Sequence, residues 1–100
     1  MPEDQGPDVV RLSLPPDPDL RSVVEVAAGV LARRLRFADD VIAAARASAG
    51  SAFEEVARSA GDGLVEVEVH LLDARLVVHV RADGASRSLT ISNGPPSPPA

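Results

Sequence analysis

The chain has 100 residues, 45% of them hydrophobic and 25% charged, which is the balance of one globular domain with one core. Cys, Trp, Tyr and Lys are absent and aromatics make up 2%, which excludes a thiol nucleophile, a Cys-ligated metal centre, a disulfide framework, a Schiff-base lysine and a lysine-bearing phosphate loop. A formal net charge of −5 argues against nucleic acid as a partner, because that affinity depends on basic side chains neutralising phosphates.

Residues 1–8 hold two Pro, one Gly and three acids with no apolar period, and are expected to form a disordered leader. The start Met1-Pro2-Glu3-Asp4-Gln5 is acidic where a secretion signal is basic and then apolar, and no apolar run is long enough for a membrane span. A cytoplasmic location with no membrane partner is expected. Residues 94–100, Gly94-Pro95-Pro96-Ser97-Pro98-Pro99-Ala100, are expected to form an extended Pro-rich tail. A single domain over residues 9–93 remains.

Val10, Leu12 and Leu14 alternate with Arg11 and Ser13 and predict a first strand that Pro15-Pro16 stops. Asp17 suits a helix cap, Pro18 the first helical position and Asp19 the positive end of the helix dipole. The helix that follows has a predicted core stripe of Leu20, Val23, Val24, Ala27, Val30, Leu31 and Leu35. Its basic end, Arg33, Arg34 and Arg36, complements the negative end of the dipole and offers charge to a partner.

Asp39-Asp40 opens a second helix, expected to run to Ser59 or Ala60 and to bury Val41, Ile42, Ala45, Ala49, Ala52, Phe53 and Val56. Gly50 in its middle costs about 1 kcal/mol relative to Ala, which predicts close packing or a kink there. Ser48, Ser51, Glu55 and Ser59 fall on another line of the same helix, either a solvated face or a functional one.

After the turn Gly61-Asp62-Gly63 the chain gives a hairpin signal. A turn at Asp73-Ala74 pairs Leu71 with Leu76, Val69 with Val78 and Val67 with Val80 on one face, with Val77 the exception. It sets Glu66 opposite Arg81 and Glu68 opposite His79 on the other face. Ser88-Leu89-Thr90-Ile91-Ser92 adds a strand after the turn Ala82-Asp83-Gly84-Ala85. The order β-α-α-β-β-β predicts an α+β two-layer sandwich with a mostly antiparallel sheet. Glu68, His70 and His79 share an open face; charge pairing is the expected role there rather than a metal site, which lacks an enclosing second shell. A serine nucleophile needs a histidine held by a carboxylate, but both histidines fall in the hairpin and the serines of the second helix on another layer, so no triad is expected and no catalytic residue is assigned.

Val10-Arg11-Leu12-Ser13-Leu14-Pro15-Pro16-Asp17-Pro18, Leu31-Ala32-Arg33-Arg34-Leu35-Arg36-Phe37-Ala38-Asp39, Val56-Ala57-Arg58-Ser59-Ala60-Gly61-Asp62-Gly63 and Arg75-Leu76-Val77-Val78-His79-Val80-Arg81-Ala82-Asp83-Gly84 come in an order that resembles the anti-sigma-factor serine kinases of the histidine-kinase-like ATPase (GHKL) family, a bacterial group. The resemblance implies a helix that carries a Glu and, four residues later, a magnesium-holding Asn, and a loop Asp-x-Gly that reads adenine. Those positions fall here on Ser51, Glu55 and Ala82, with Gly84 retained and Asp83 beside it. Ser51 cannot serve as a carboxylate base, Ala82 offers adenine no acceptor, and Glu55 would repel phosphates that no lysine cradles. The resemblance also implies a lid and a second glycine loop, for which the 16 residues after Gly84 are expected to be too few.

The resemblance therefore implies a shortened, degenerate relative with no resident cofactor. Its expected action is to bind a regulatory protein, such as a sigma factor, an anti-sigma antagonist or an intact family member, through Arg33, Arg34 and Arg36 or a sheet edge. Two alternatives stand: a serine kinase that binds Mg-ATP through Glu55, Asp83 and Gly84, and a self-associating module that pairs as a homodimer along the exposed sheet edge.

Overall fold

In a computed structural model that describes residues 9–92, the alternation of Val10, Leu12 and Leu14 becomes strand β1 (Val9–Leu14). The expected leader over 1–8, Asn93 and the Pro-rich tail over 94–100 lie outside the described residues. Asp17 caps the next segment: its Oδ1 accepts a hydrogen bond from the Asp19 N–H at 2.9 Å. That segment, Pro18–Leu20, is a 3-10 turn, and the α-helix proper, α1, spans Arg21–Arg34.

The buried side of α1 differs from the sequence expectation. Val24, Ala28, Leu31 and Ala32 are buried, whereas Val23 and Val30 are 39% and 52% exposed and Ala27, Leu20 and Leu35 are half-buried. Valines stand on both sides of this helix, so apolar spacing does not select a face. The side with Ala28 and Ala32 faces inward because small side chains let the backbone come close to the sheet and to its neighbouring helix.

A left-handed residue ends α1. Arg36 has φ 60°, its N–H donates to Arg33 O at 2.9 Å, and the Phe37 N–H donates to Ala32 O at 3.2 Å. This pattern is a Schellman motif with Arg36 where glycine is usual. Helix α2 (Asp39–Ser59) follows and buries Ile42, Ala45, Ala49, Gly50, Ala52, Phe53, Val56 and Ala57, with Val41 half-buried. Arg21 links the helices: its Nε donates to Glu25 Oε2 at 2.7 Å and its Nη1 to Glu54 Oε1 at 2.7 Å.

Strands β2 (Val65–Leu72), β3 (Arg75–Ala82) and β4 (Ala85–Ser92) complete one sheet of order β1-β2-β3-β4, antiparallel throughout. The β2–β3 register is the expected one, Leu71 with Leu76, Val69 with Val78, Val67 with Val80, Glu66 with Arg81 and Glu68 with His79. Asp73 and Ala74 at the turn have φ 52° and 61°, the paired left-handed conformation that matches hairpin twist. Both helices lie on one face, over Val65, Val67, Val69, Leu76, Val78 and Val80, so the fold is α+β with one aliphatic core around Phe53. Among the described residues no helix is long and apolar enough to cross a membrane.

Candidate functional site

Strand alternation and helix phase send the residues of interest to three regions, the first of them divided between two separate hollows. On α2, Ser51 and Glu55 are exposed one turn apart and line an open hollow of about 320 Å³ with Ser48, Arg87 and Leu89. The Arg87 Nη1 lies 3.1 Å from Glu55 Oε1, so the Glu55 carboxylate is held by a guanidinium from β4. Ala82, Asp83 and Gly84 line a different open hollow, of about 510 Å³, with Gly63, Leu64 and Arg81. Asp83 and Gly84 are also the two residues that join β3 to β4 directly, since Ala82 pairs with Ala85 and Gly84 has φ 83°. The structure thus gathers Ser51 with Glu55, and Ala82 with Asp83 and Gly84, but does not bring the two groups into one cleft.

The basic end of α1 forms the second region. Arg33, Arg34 and Arg36 are exposed at the corner between the helices. Among the described residues neither Arg33 nor Arg36 is in an ion pair, although carboxylates outnumber guanidinia in the chain. Arg46 of α2 lies nearby, its Cδ 3.0 Å from where a Gly29 Cβ would be.

The third region is the sheet face turned away from the helices. Glu68 and His79 are register partners, yet Glu68 Oε1 pairs with His70 Nε2 of its own strand at 3.1 Å and its Oε2 with Arg11 Nε of β1 at 3.4 Å. The His70 hydrogen bond, the largest influence, and the charges of Arg11, His70 and Arg81 hold the Glu68 carboxyl below its ordinary value despite partial desolvation. Glu66 opposes Arg81 but accepts from Ser13 Oγ at 2.8 Å.

His79 stacks edge-on against His70 with ring centroids 5.6 Å apart, and its Nδ1 is hydrogen-bonded to Ser88 Oγ at 2.8 Å. A serine outside α2 does meet a histidine, because β4 brings Ser88 alongside β3. No carboxylate bonds that histidine among the described residues, and the face is open, so the pair lacks the orienting acid and the enclosed surroundings of a nucleophile. Among the described residues no three His, Asp or Glu side chains converge to hold a metal ion.

Sequence reasoning missed Arg87 and Ser88. The alternation of Leu89 and Ile91 carried two residues back puts Arg87 on the helix side, and the Asp83-Gly84 turn sets Ser88 beside His79. The chain matches no protein-family model, and no curated protein matches it.

Proposed function

We propose that the protein is a regulatory protein-binding module, similar to an anti-sigma factor with a degenerate nucleotide pocket, that acts in the cytoplasm on transcriptional control. The observation that carries this reading is the corner between α1 and α2. Two exposed guanidinia, Arg33 and Arg36, have no intramolecular carboxylate partner, and Arg36 occupies a left-handed position where glycine costs less. A charged side chain kept against the backbone preference suits a contact with another molecule. The partner this corner fits is an acidic surface on a sigma factor, an anti-sigma antagonist or an intact family member.

The Glu55–Arg87 pair supports the loss of nucleotide chemistry, because a carboxylate engaged by a guanidinium is a poorer ligand for a divalent cation. The alternative, a serine kinase that binds Mg-ATP through Glu55 and Asp83, draws on the exposed Asp83 carboxylate beside Gly84 in the hollow of about 510 Å³.

Thermal-shift titration with Mg-ATP separates the two. A ligand at about 100 times its Kd stabilises the native state by about 2.7 kcal/mol, which for a domain of this size is roughly ten degrees or more. The proposal expects no shift at millimolar nucleotide, and a dose-dependent rise of that size overturns it. Biolayer interferometry against the sigma factors and antagonists of the same genome then tests the partner. A complex that Arg36→Glu weakens about tenfold supports the corner as its seat.

A further inference from the structure

Helix α1 carries a second apolar stripe that nothing in the described residues covers. Val23, Val26 and Val30, spaced i, i+3 and i+7, are 39%, 55% and 52% exposed on the side opposite Val24, Ala28 and Leu31. A shallow hollow of about 180 Å³ runs beside them between α1 and α2, lined by Val26, Gly29, Val30, Arg33, Ile42 and Arg46. The charges around the stripe are ordered along the helix axis. Asp19 stands exposed before the N-terminus, Arg33 stands exposed in the last turn, and neither is in an ion pair among the described residues.

We propose that this face is a self-association surface that packs α1 antiparallel against α1 of a second copy, about a two-fold axis at Val26. The spacing is what selects a second copy over another partner. Arg33 lies seven residues after Val26, about 10 Å along α1, and Asp19 seven residues before it, in the 3-10 turn that leads into the helix. The operation that sets Val26 on the partner's Val26 therefore sets Arg33 against the partner's Asp19, and Asp19 against the partner's Arg33.

Val23 and Gly29 each lie three residues from Val26, so the partner's Val23 meets the edge of the hollow, where the Arg46 stem covers Gly29. An acidic helix of another protein satisfies Arg33 but meets Asp19 with like charge, and a parallel pair sets Arg33 against the partner's Arg33. This interface is separate from the sheet-edge pairing expected from the sequence, and it shares Arg33, but not Arg36, with the corner proposed to bind a regulatory partner.

Sedimentation equilibrium from about 1 μM to about 500 μM tests it, with helix content followed by circular dichroism. The wild-type chain is expected to pass from monomer to dimer over this range. Val26→Asp places two carboxylates on the axis and raises the dimer Kd by about tenfold or more. Arg33→Asp and Asp19→Arg each weaken the dimer, and the double variant, which exchanges the two charges, restores it. A wild-type chain that stays monomeric at the highest concentration overturns the proposal. So does a dimer that Val26→Asp leaves intact, or a charge exchange that fails to restore association in a folded double variant.

Discussion

Arg21 crosses α2 at Gly50: a Cβ built on that glycine would lie 2.7 Å from Arg21 Nε and 2.7 Å from Glu25 Oε2. The glycine is thus what lets the Arg21–Glu25–Glu54 network span the two helices, and close packing rather than a kink explains it. Alanine at a helix interior normally gains about 1 kcal/mol over glycine. In the wild-type background Gly50→Ala is expected to show none of this gain, because the network must move. In an Arg21→Ala background the same substitution stabilises by about 1 kcal/mol. Urea unfolding of the four proteins of this cycle measures the difference, and equal effects in both backgrounds refute the steric account.

Arg36 and Ala74 hold left-handed backbone, with φ 60° and 61°, where a side chain costs about 1 kcal/mol or more. Arg36→Gly and Ala74→Gly are each expected to raise stability by about 0.5–1 kcal/mol, a rise in Tm of roughly 2–8 °C. The two differ in function. Under the proposed reading Ala74→Gly leaves partner binding unchanged, whereas Arg36→Gly trades affinity for stability. Calorimetry beside interferometry on the two variants distinguishes a residue kept for binding from one merely tolerated.

Glu68 makes stability depend on pH. Its folded-state pKa lies below the ordinary 4.5, first through the His70 hydrogen bond and then through the charges of Arg11, His70 and Arg81. A depressed carboxylate contributes stability that is full above about the unfolded pKa and is lost as pH falls through the folded one. The Tm is therefore expected to fall below about pH 4.5. Glu68→Gln flattens the part of that slope that Glu68 causes, and an unchanged acid limb would falsify the assignment.

How far these features are legible in the chain depends on which forces set them. The β2–β3 register is, because side-chain alternation and a two-residue turn at Asp73-Ala74 leave one pairing that keeps Val67, Val69, Val78 and Val80 together. The buried side of α1 is not: Val23 and Val30 match Val24 and Leu31 in hydropathy, and only the closeness permitted by Ala28 and Ala32 decides between the stripes. The ion pairs depend on a third factor. Glu66 and Glu68 reach toward β1 rather than to their partners on β3, and long-range pairing of β1 with β2 has no signature within the hairpin itself. Glu55 meets Arg87 across 32 residues of chain for the same reason.

Introducing the chemical groups that the proposed resemblance implies is expected not to create nucleotide binding. A triple variant Ser51→Glu, Glu55→Asn and Ala82→Asp supplies a base, a magnesium ligand and an adenine acceptor at the matching positions. Two features of the backbone and its neighbours still oppose ATP. Asp83-Gly84 joins β3 to β4 as a two-residue turn, so no segment between those strands is long enough to fold over phosphates. Ser51 with Glu55 and Ala82 with Asp83 also line separate hollows, so the introduced groups would not converge on one ligand. Removing the Glu55 carboxylate costs little in itself, because the exposed pair with Arg87 is worth at most about 1 kcal/mol. The triple variant is thus expected to fold and to show no thermal shift with millimolar Mg-ATP. A shift of roughly ten degrees would mean that the residue changes alone, rather than the short β3–β4 connection, separate this chain from the ATPases.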